Sequence, residues 1–281
     1  MDDAFGYCQE QVKVNDRDRF LATLFATADR RPLLYALYAF DLEIAGLAAR
    51  LREPLAGELR LQWWREVIEG GRTEEAAGHP VARGLLAAMA QAPLSRDTLL
   101  CLLDARGFDL YGEPIASVAE FDAYALAATG NVLKLAAGIL GAEDNPVLNA
   151  AVAPASAAIA CADAAVRFAA EASRGHVSVP LEILVRHGAT AADATGGRAT
   201  PAIIAALAEV RQLGLEHFEA ARHAVMRLPV TVRPAFLHVS LVPLFMARAA
   251  RIGSDPFQAT VTIAPWRRQW ALWRASRTWL R

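Results

Sequence analysis

The sequence predicts an all-α protein, a single-domain helical bundle, and three observations carry that prediction. Apolar residues recur at spacings of 3 and 4 along most of the chain. Segments open on Ser, Thr, Asp or Asn, often with Pro in the first turn, and close on Gly, as helices do. Strand signals are scarce: Val and Ile rarely cluster, and no alternating run is bounded by Asn-Gly or Asp-Gly.

Asp16 to Thr27 reads as a short helix with Phe20, Leu21, Leu24 and Phe25 on one face. Asp29 caps the next helix, and Pro32 falls in its first turn, where a missing N–H costs little. Leu33, Leu34, Leu37, Phe40, Ile44 and Leu47 carry that helix to about Leu51. Pro54 opens a helix to Glu69, which Gly70-Gly71 ends. Arg72 to His79 reads as a polar loop, with helices following near 80–91 and 94–108. Ser117 and Glu120 form a capping box for a helix to about Leu140, stopped by Gly141. Asn145-Pro146 caps a long Ala-rich helix to about Ser173. Arg174 to Gly197 is less regular; Thr200-Pro201 then starts a helix to about Arg227. Leu237 to Ile252 and Pro265 to Leu280 supply the last two. With no repeat, no long linker and broad apolar faces, these helices suit one bundle over 1–281 around a central core or cavity.

Composition narrows the function. Hydrophobic residues at 54% against 21% charged are far from a disordered chain, and 281 residues can bury a core without disulfides or metals. Lys+Arg 29 against Asp+Glu 30 leaves a net charge of −1, so bulk charge gives no nucleic-acid signal and no nucleic-acid partner is expected. Cys8, Cys101 and Cys161 make no CxxC or zinc spacing and read as reduced, structural thiols; the six His show no metal spacing either. The first residues lack a basic, then apolar, leader. No apolar run reaches the ~18–20 residues that span a bilayer; the longest, Ala150 to Ala162, contains Pro154. The expectation is a cytoplasmic protein, soluble or peripheral at the inner face of the cytoplasmic membrane.

Local sequence goes further. Tyr35-Ala36-Leu37-Tyr38-Ala39-Phe40, then Trp64-Arg65-Glu66, then Ser173-Arg174-Gly175-His176-Val177-Ser178-Val179-Pro180, then Leu228-Pro229 to Phe236 and Asp255-Pro256-Phe257, stand in order over residues 15 to 258. Together they resemble the squalene/phytoene synthase family. The resemblance implies the isoprenoid synthase fold, with facing helices whose paired acids hold Mg²⁺ against a diphosphate leaving group. This chain departs from that pattern at the acids. The positions matching the first acidic pair are Ala45 and Ala49, and those matching the second motif are Arg167, Ala170 and Glu171. Methyl groups cannot ligate a metal, and a guanidinium repels one. The block Asp16 to Leu21, Ala39 to Ala45, Glu53-Pro54 and Arg60 to Glu66 resembles the degenerate branch of the family that includes a mitochondrial respiratory complex I assembly factor. That resemblance implies loss of prenyl transfer and complex I assembly proteins as partners.

Three functions remain open at this level. The first is a degenerate synthase acting as an assembly or scaffold factor, with no cofactor. The second is a working, Mg²⁺-dependent prenyl transferase whose carboxylates come from Asp41, Glu43, Asp163 and Glu171 on neighbouring turns. The third is a carrier that holds an isoprenoid or lipid in the bundle cavity. Tyr38, Asp41, Asp163, Arg167 and Glu171 are the expected cavity residues; the last three, spaced i, i+4, i+8, form either an inward remnant of the metal site or a solvated ion-pair stripe. The tail is the second candidate site. Trp266, Trp270 and Trp273 share a helical face beside Arg267, Arg268 and Arg274, with no acid. Such a helix suits a membrane surface, or else docks its Trp face on the bundle with its Arg in water.

Overall fold

The structure is a computed structural model that describes residues 2–51, 53–252, 255–257 and 261–281. Among them every regular element is helical. Helix α1 (Asp2–Asn15) has no counterpart in the sequence reading. Among its residues from Ala4 on, Ala4, Cys8 and Val12 are the buried ones, a stripe one residue wide that gives a weak periodic signal. Asp16 then caps α2 (Arg17–Thr23) by accepting from the Arg19 N–H. Helix α3 (Arg31–Ala45) starts without a side-chain cap: Arg30, not Asp29, holds the cap position, while Pro32 sits in the first turn as expected. It stops at Gly46, and α4 (Leu47–Arg50) adds a single turn.

Helix α5 (Pro54–Glu69) ends at Gly70, whose φ of 93° suits a residue without a side chain. The expected polar loop after it holds a helix, α6 (Thr73–Gly78), tied down where the Trp63 indole N–H donates to Glu75. Its neighbour Trp64 is fully buried and meets Phe40 edge-on at 4.8 Å. Helices α7 (Pro80–Gln91) and α8 (Arg96–Asp109) follow.

Ser117 caps α9 (Val118–Ala125) by accepting from the Glu120 N–H, but the Glu120 carboxylate reaches back to the Ala116 N–H, one residue outside the expected box. A π-helical turn over Leu126–Gly130 then leads into α10 (Asn131–Ile139). Asn145 caps α11 (Pro146–Ser173) with its Oδ1 on two amide N–H groups. The irregular stretch contains α12 (Leu181–Arg186) and α13 (Ala191–Thr195). Thr200 caps α14 (Pro201–Val225), a 3₁₀ segment (Arg233–Leu241) runs into α15 (Val242–Ile252), and α16 (Pro265–Trp279) closes the chain.

The α11–α14 pair is the most extensive helix contact. It is close at Gly214, where a Cβ would stand 2.8 Å from that of Cys161. By length and composition α11 is apolar enough to cross a bilayer, which the run-length reading missed because Asp163 and Arg167 interrupt it. In the structure it is the spine of the bundle, with Ala151, Val152, Ala155, Ala158 and Phe168 buried. Cys8 and Cys161 are buried thiols, each pushed up to about 12 by burial, whereas Cys101 is exposed and not part of the core as expected.

Candidate functional site

Helices α2, α3, α8, α11 and α15, with the 3₁₀ segment, surround a cavity of about 710 Å³. Tyr38, Asp41, Ala45, Ala49, Asp163, Arg167 and Glu171 all line it. So the two chain regions that the sequence singled out face one space. Ala170 is the exception, exposed and outside the lining. Glu43 also drops out: it turns to the other side of α3, where Arg60 reaches it at 2.7 Å and His79 at 3.4 Å.

Asp41 organises the inner wall. It is 4% exposed, its Oδ2 accepts from Arg19 Nη1 at 2.6 Å and its Oδ1 from Arg106 Nη2 at 3.0 Å. Arg19 also grips Asp16 at 2.5 Å and lies 4.9 Å above the Tyr38 ring. Arg106 reaches Asp109 at 3.3 Å, and the Tyr124 hydroxyl donates to the same carboxylate. Burial pushes the Asp41 carboxyl up, but the two guanidinium groups outweigh it and hold Asp41 below the usual carboxylate range. Burial lowers both arginines, and the carboxylates beside them more than offset this, so both stay charged.

The second acidic motif survives only as a knot at the rim. The expected Asp163–Arg167–Glu171 ladder is half formed. Arg167 turns to Glu171 at 2.7 Å, and Arg174 and His176 share the same carboxylate at 3.5 and 3.3 Å. Among the described residues no ion pair reaches Asp163. Its side chain is exposed to the open cavity, and desolvation by the surrounding walls raises it to about 6 against the pull of Arg167. His238, also in the lining, is lowered to about 4 by burial and by Arg19, and its Nδ1 is buried without a partner. Across the mouth Arg268 of α16 pairs with Asp18 at 3.0 Å. Burial still lifts Asp18 to about 6 against that attraction.

This donor set does not fit a Mg²⁺ cluster. Positions 45 and 49 offer methyl groups, Asp41 is saturated by two arginines, and no group of three His, Cys, Asp or Glu among the described residues is placed to share an ion. Of the six arginines in the lining, Arg19, Arg106, Arg167, Arg174 and Arg268 are paired with carboxylates, and Arg17 is exposed. Sequence reasoning missed Arg106 and His238, which join the site from elements remote in the chain, and it placed Arg268 among the membrane-surface residues of α16, whereas the structure turns it inward to pair with Asp18 in the cavity lining.

The second candidate site is α16. Its buried face is Leu272, Ser276 and Trp279, so it docks through the side away from the Trp triad. Trp266, Trp270 and Trp273 are 65%, 55% and 43% exposed.

Comparisons with known proteins agree with this fold. The family described as squalene/phytoene synthase matches residues 12–274. Among curated proteins, the rat protein called NADH dehydrogenase (ubiquinone) complex I, assembly factor 6 is 25% identical over 92% of this chain and 78% of its own. The human protein of that name is 25% identical over 91% and 76%. Among solved structures, a dehydrosqualene synthase in complex with ligand superposes with a TM-score of 0.83 at 15% identity, covering 98% of this chain and 95% of its own. A squalene synthase from Alicyclobacillus acidocaldarius follows with 0.75 at 22% identity over 90% and 95%. The two structural likenesses bear on the fold alone.

Proposed function

Because the chain belongs to the squalene/phytoene synthase family, we propose that it is a member that has given up prenyl transfer and serves in the assembly of respiratory complex I, as a peripheral protein at the inner face of the cytoplasmic membrane. One observation carries the first half: Ala45, Ala49 and Arg167 stand where the family resemblance calls for metal-binding acids, and Asp41, one turn before Ala45, is neutralised by Arg19 and Arg106. The second half is supported by the curated relatives, which are named as complex I assembly factors.

Two measurements test it. Purified protein incubated with farnesyl and geranylgeranyl diphosphate, with and without Mg²⁺, should release no hydrocarbon product; a Mg²⁺-dependent product overturns the loss of transfer and restores the prenyl transferase reading. Native gels of membranes from cells lacking the protein should show less assembled complex I; an undiminished amount overturns the assembly role.

The cavity favours a second reading, a carrier for a neutral isoprenoid or lipid. About 710 Å³ is room for a sizeable ligand, and Leu133, Ile159, Leu241 and Phe245 give it apolar walls. Retained lipid in native mass spectra of the purified protein would support this reading, and an empty cavity after purification from lipid-rich membranes would remove it.

A further inference from the structure

We propose that the outward face of α16 is the element that docks the protein on an anionic lipid bilayer. The proposal deepens the peripheral-membrane reading above and rests on it. Helix α16 is anchored from within. Leu272, Ser276 and Trp279 are buried, Arg268 holds Asp18 at 3.0 Å, and Arg233 donates to the carbonyls of Trp279 and Arg281 at 3.0 and 2.9 Å. The helix therefore cannot roll to bury its other side without breaking those bonds.

That other side carries Trp266, Trp270 and Trp273 at spacings of 4 and 3, each between 43% and 65% exposed, with the second and third rings stacked at 4.9 Å. Arg267 lies 5.7 Å from the Trp266 ring and Arg277 lies 5.0 Å from that of Trp273. Arg267, Arg274 and Arg277 are exposed, and α16 contains no acidic residue. Three indoles in a row are a large apolar area for a protein to leave uncovered. Indole rings settle at the headgroup level of a bilayer, with the body in the acyl boundary and the N–H in water. The unopposed arginines supply the charge complementarity, drawing the helix to a surface rich in anionic headgroups. A partner protein chosen by the same charge would need its own acidic, apolar face; a bilayer of anionic lipid offers both along the whole helix.

The test is vesicle flotation with the full chain. The wild-type protein should float with vesicles of phosphatidylcholine and phosphatidylglycerol, and far less with phosphatidylcholine alone. The variant with Trp266→Ala, Trp270→Ala and Trp273→Ala should stay at the bottom. The variant with Arg267→Gln, Arg274→Gln and Arg277→Gln should bind roughly a hundredfold more weakly. All six side chains face solvent, so circular dichroism should show unchanged helix content. If the Trp variant floats like wild type, α16 is not the docking element, although the peripheral reading stands. If the wild type floats with neither vesicle, both fall. A lipid-independent dimer in sedimentation, lost in the Trp variant, would overturn the proposal in favour of a second copy on this face.

Discussion

Arg106 of α8 donates to Asp41 of α3 at 3.0 Å, joining residues 65 positions apart, while Arg19 of α2 donates to the other oxygen of the same carboxylate at 2.6 Å. One acid thus ties three helices together at the inner wall of the cavity. A buried charge set is stable only while every member is paired.

Asp41→Asn should therefore unfold early. It leaves Arg19 with Asp16 and Arg106 with Asp109 as their remaining carboxylates, weakening two charge-assisted hydrogen bonds at a cost of about 1–3 kcal/mol, or a Tm fall of several degrees. The sign of the pH dependence follows from the lowered Asp41 carboxyl. Its stabilisation is present above the unfolded carboxylate value and is lost as pH falls through the folded one. The gap between wild type and variant, measured by thermal melts, should narrow in strong acid; a constant gap would mean that Asp41 acts by shape alone.

Asp163 should behave in the opposite way. Desolvation by the cavity walls raises it to about 6, although its side chain meets cavity water, so the folded state binds its proton more tightly than the unfolded chain does. Its contribution is fully favourable below the unfolded value and declines as pH rises to about 6. Asp163→Asn should be more stable than wild type at pH 7, by about 1 kcal/mol after screening by cavity water, and equal to it near pH 4. A loss of stability at pH 7 would show that the carboxylate has a partner.

Arg233 should act as the clasp of the C-terminal helix. It is buried and donates to the carbonyls of Met226, Leu228, Trp279 and Arg281 at 2.9 to 3.0 Å. Arg233→Leu leaves these buried or half-buried acceptors short and should cost about 2–3 kcal/mol. Amide exchange in α16 should quicken before that of α11; uniform quickening would contradict a local clasp.

Trp64 separates volume from polarity. It is fully buried between α3 and its own helix, and its indole N–H has no partner. Trp64→Ala should cost about 3–5 kcal/mol through the cavity it leaves. Trp64→Phe should cost much less than that, because the lost N–H made no bond. Equal losses in urea melts would refute the distinction.

Local chemistry in the sequence was enough for the all-α class, for the capping at Ser117, Asn145 and Thr200, and for the glycine stop at Gly70, because each depends on residues a turn or two apart. The family resemblance, not local chemistry, singled out Ala45, Ala49 and Arg167, and all three line the cavity. The sequence reading missed α1, whose buried stripe is too narrow to register, and read α6 as a loop. It placed Glu43 with the cavity acids, although a two-residue step from Asp41 turns a helical side chain to another face. Only the tertiary structure decided that Asp41 is neutralised, because Arg19 and Arg106 come from other helices. Only the tertiary structure decided which way α16 faces. A Trp stripe is equally apolar whether it points inward or outward. The choice fell to the buried contacts of Leu272 and Trp279 and to the grip of Arg268 and Arg233 on the opposite side.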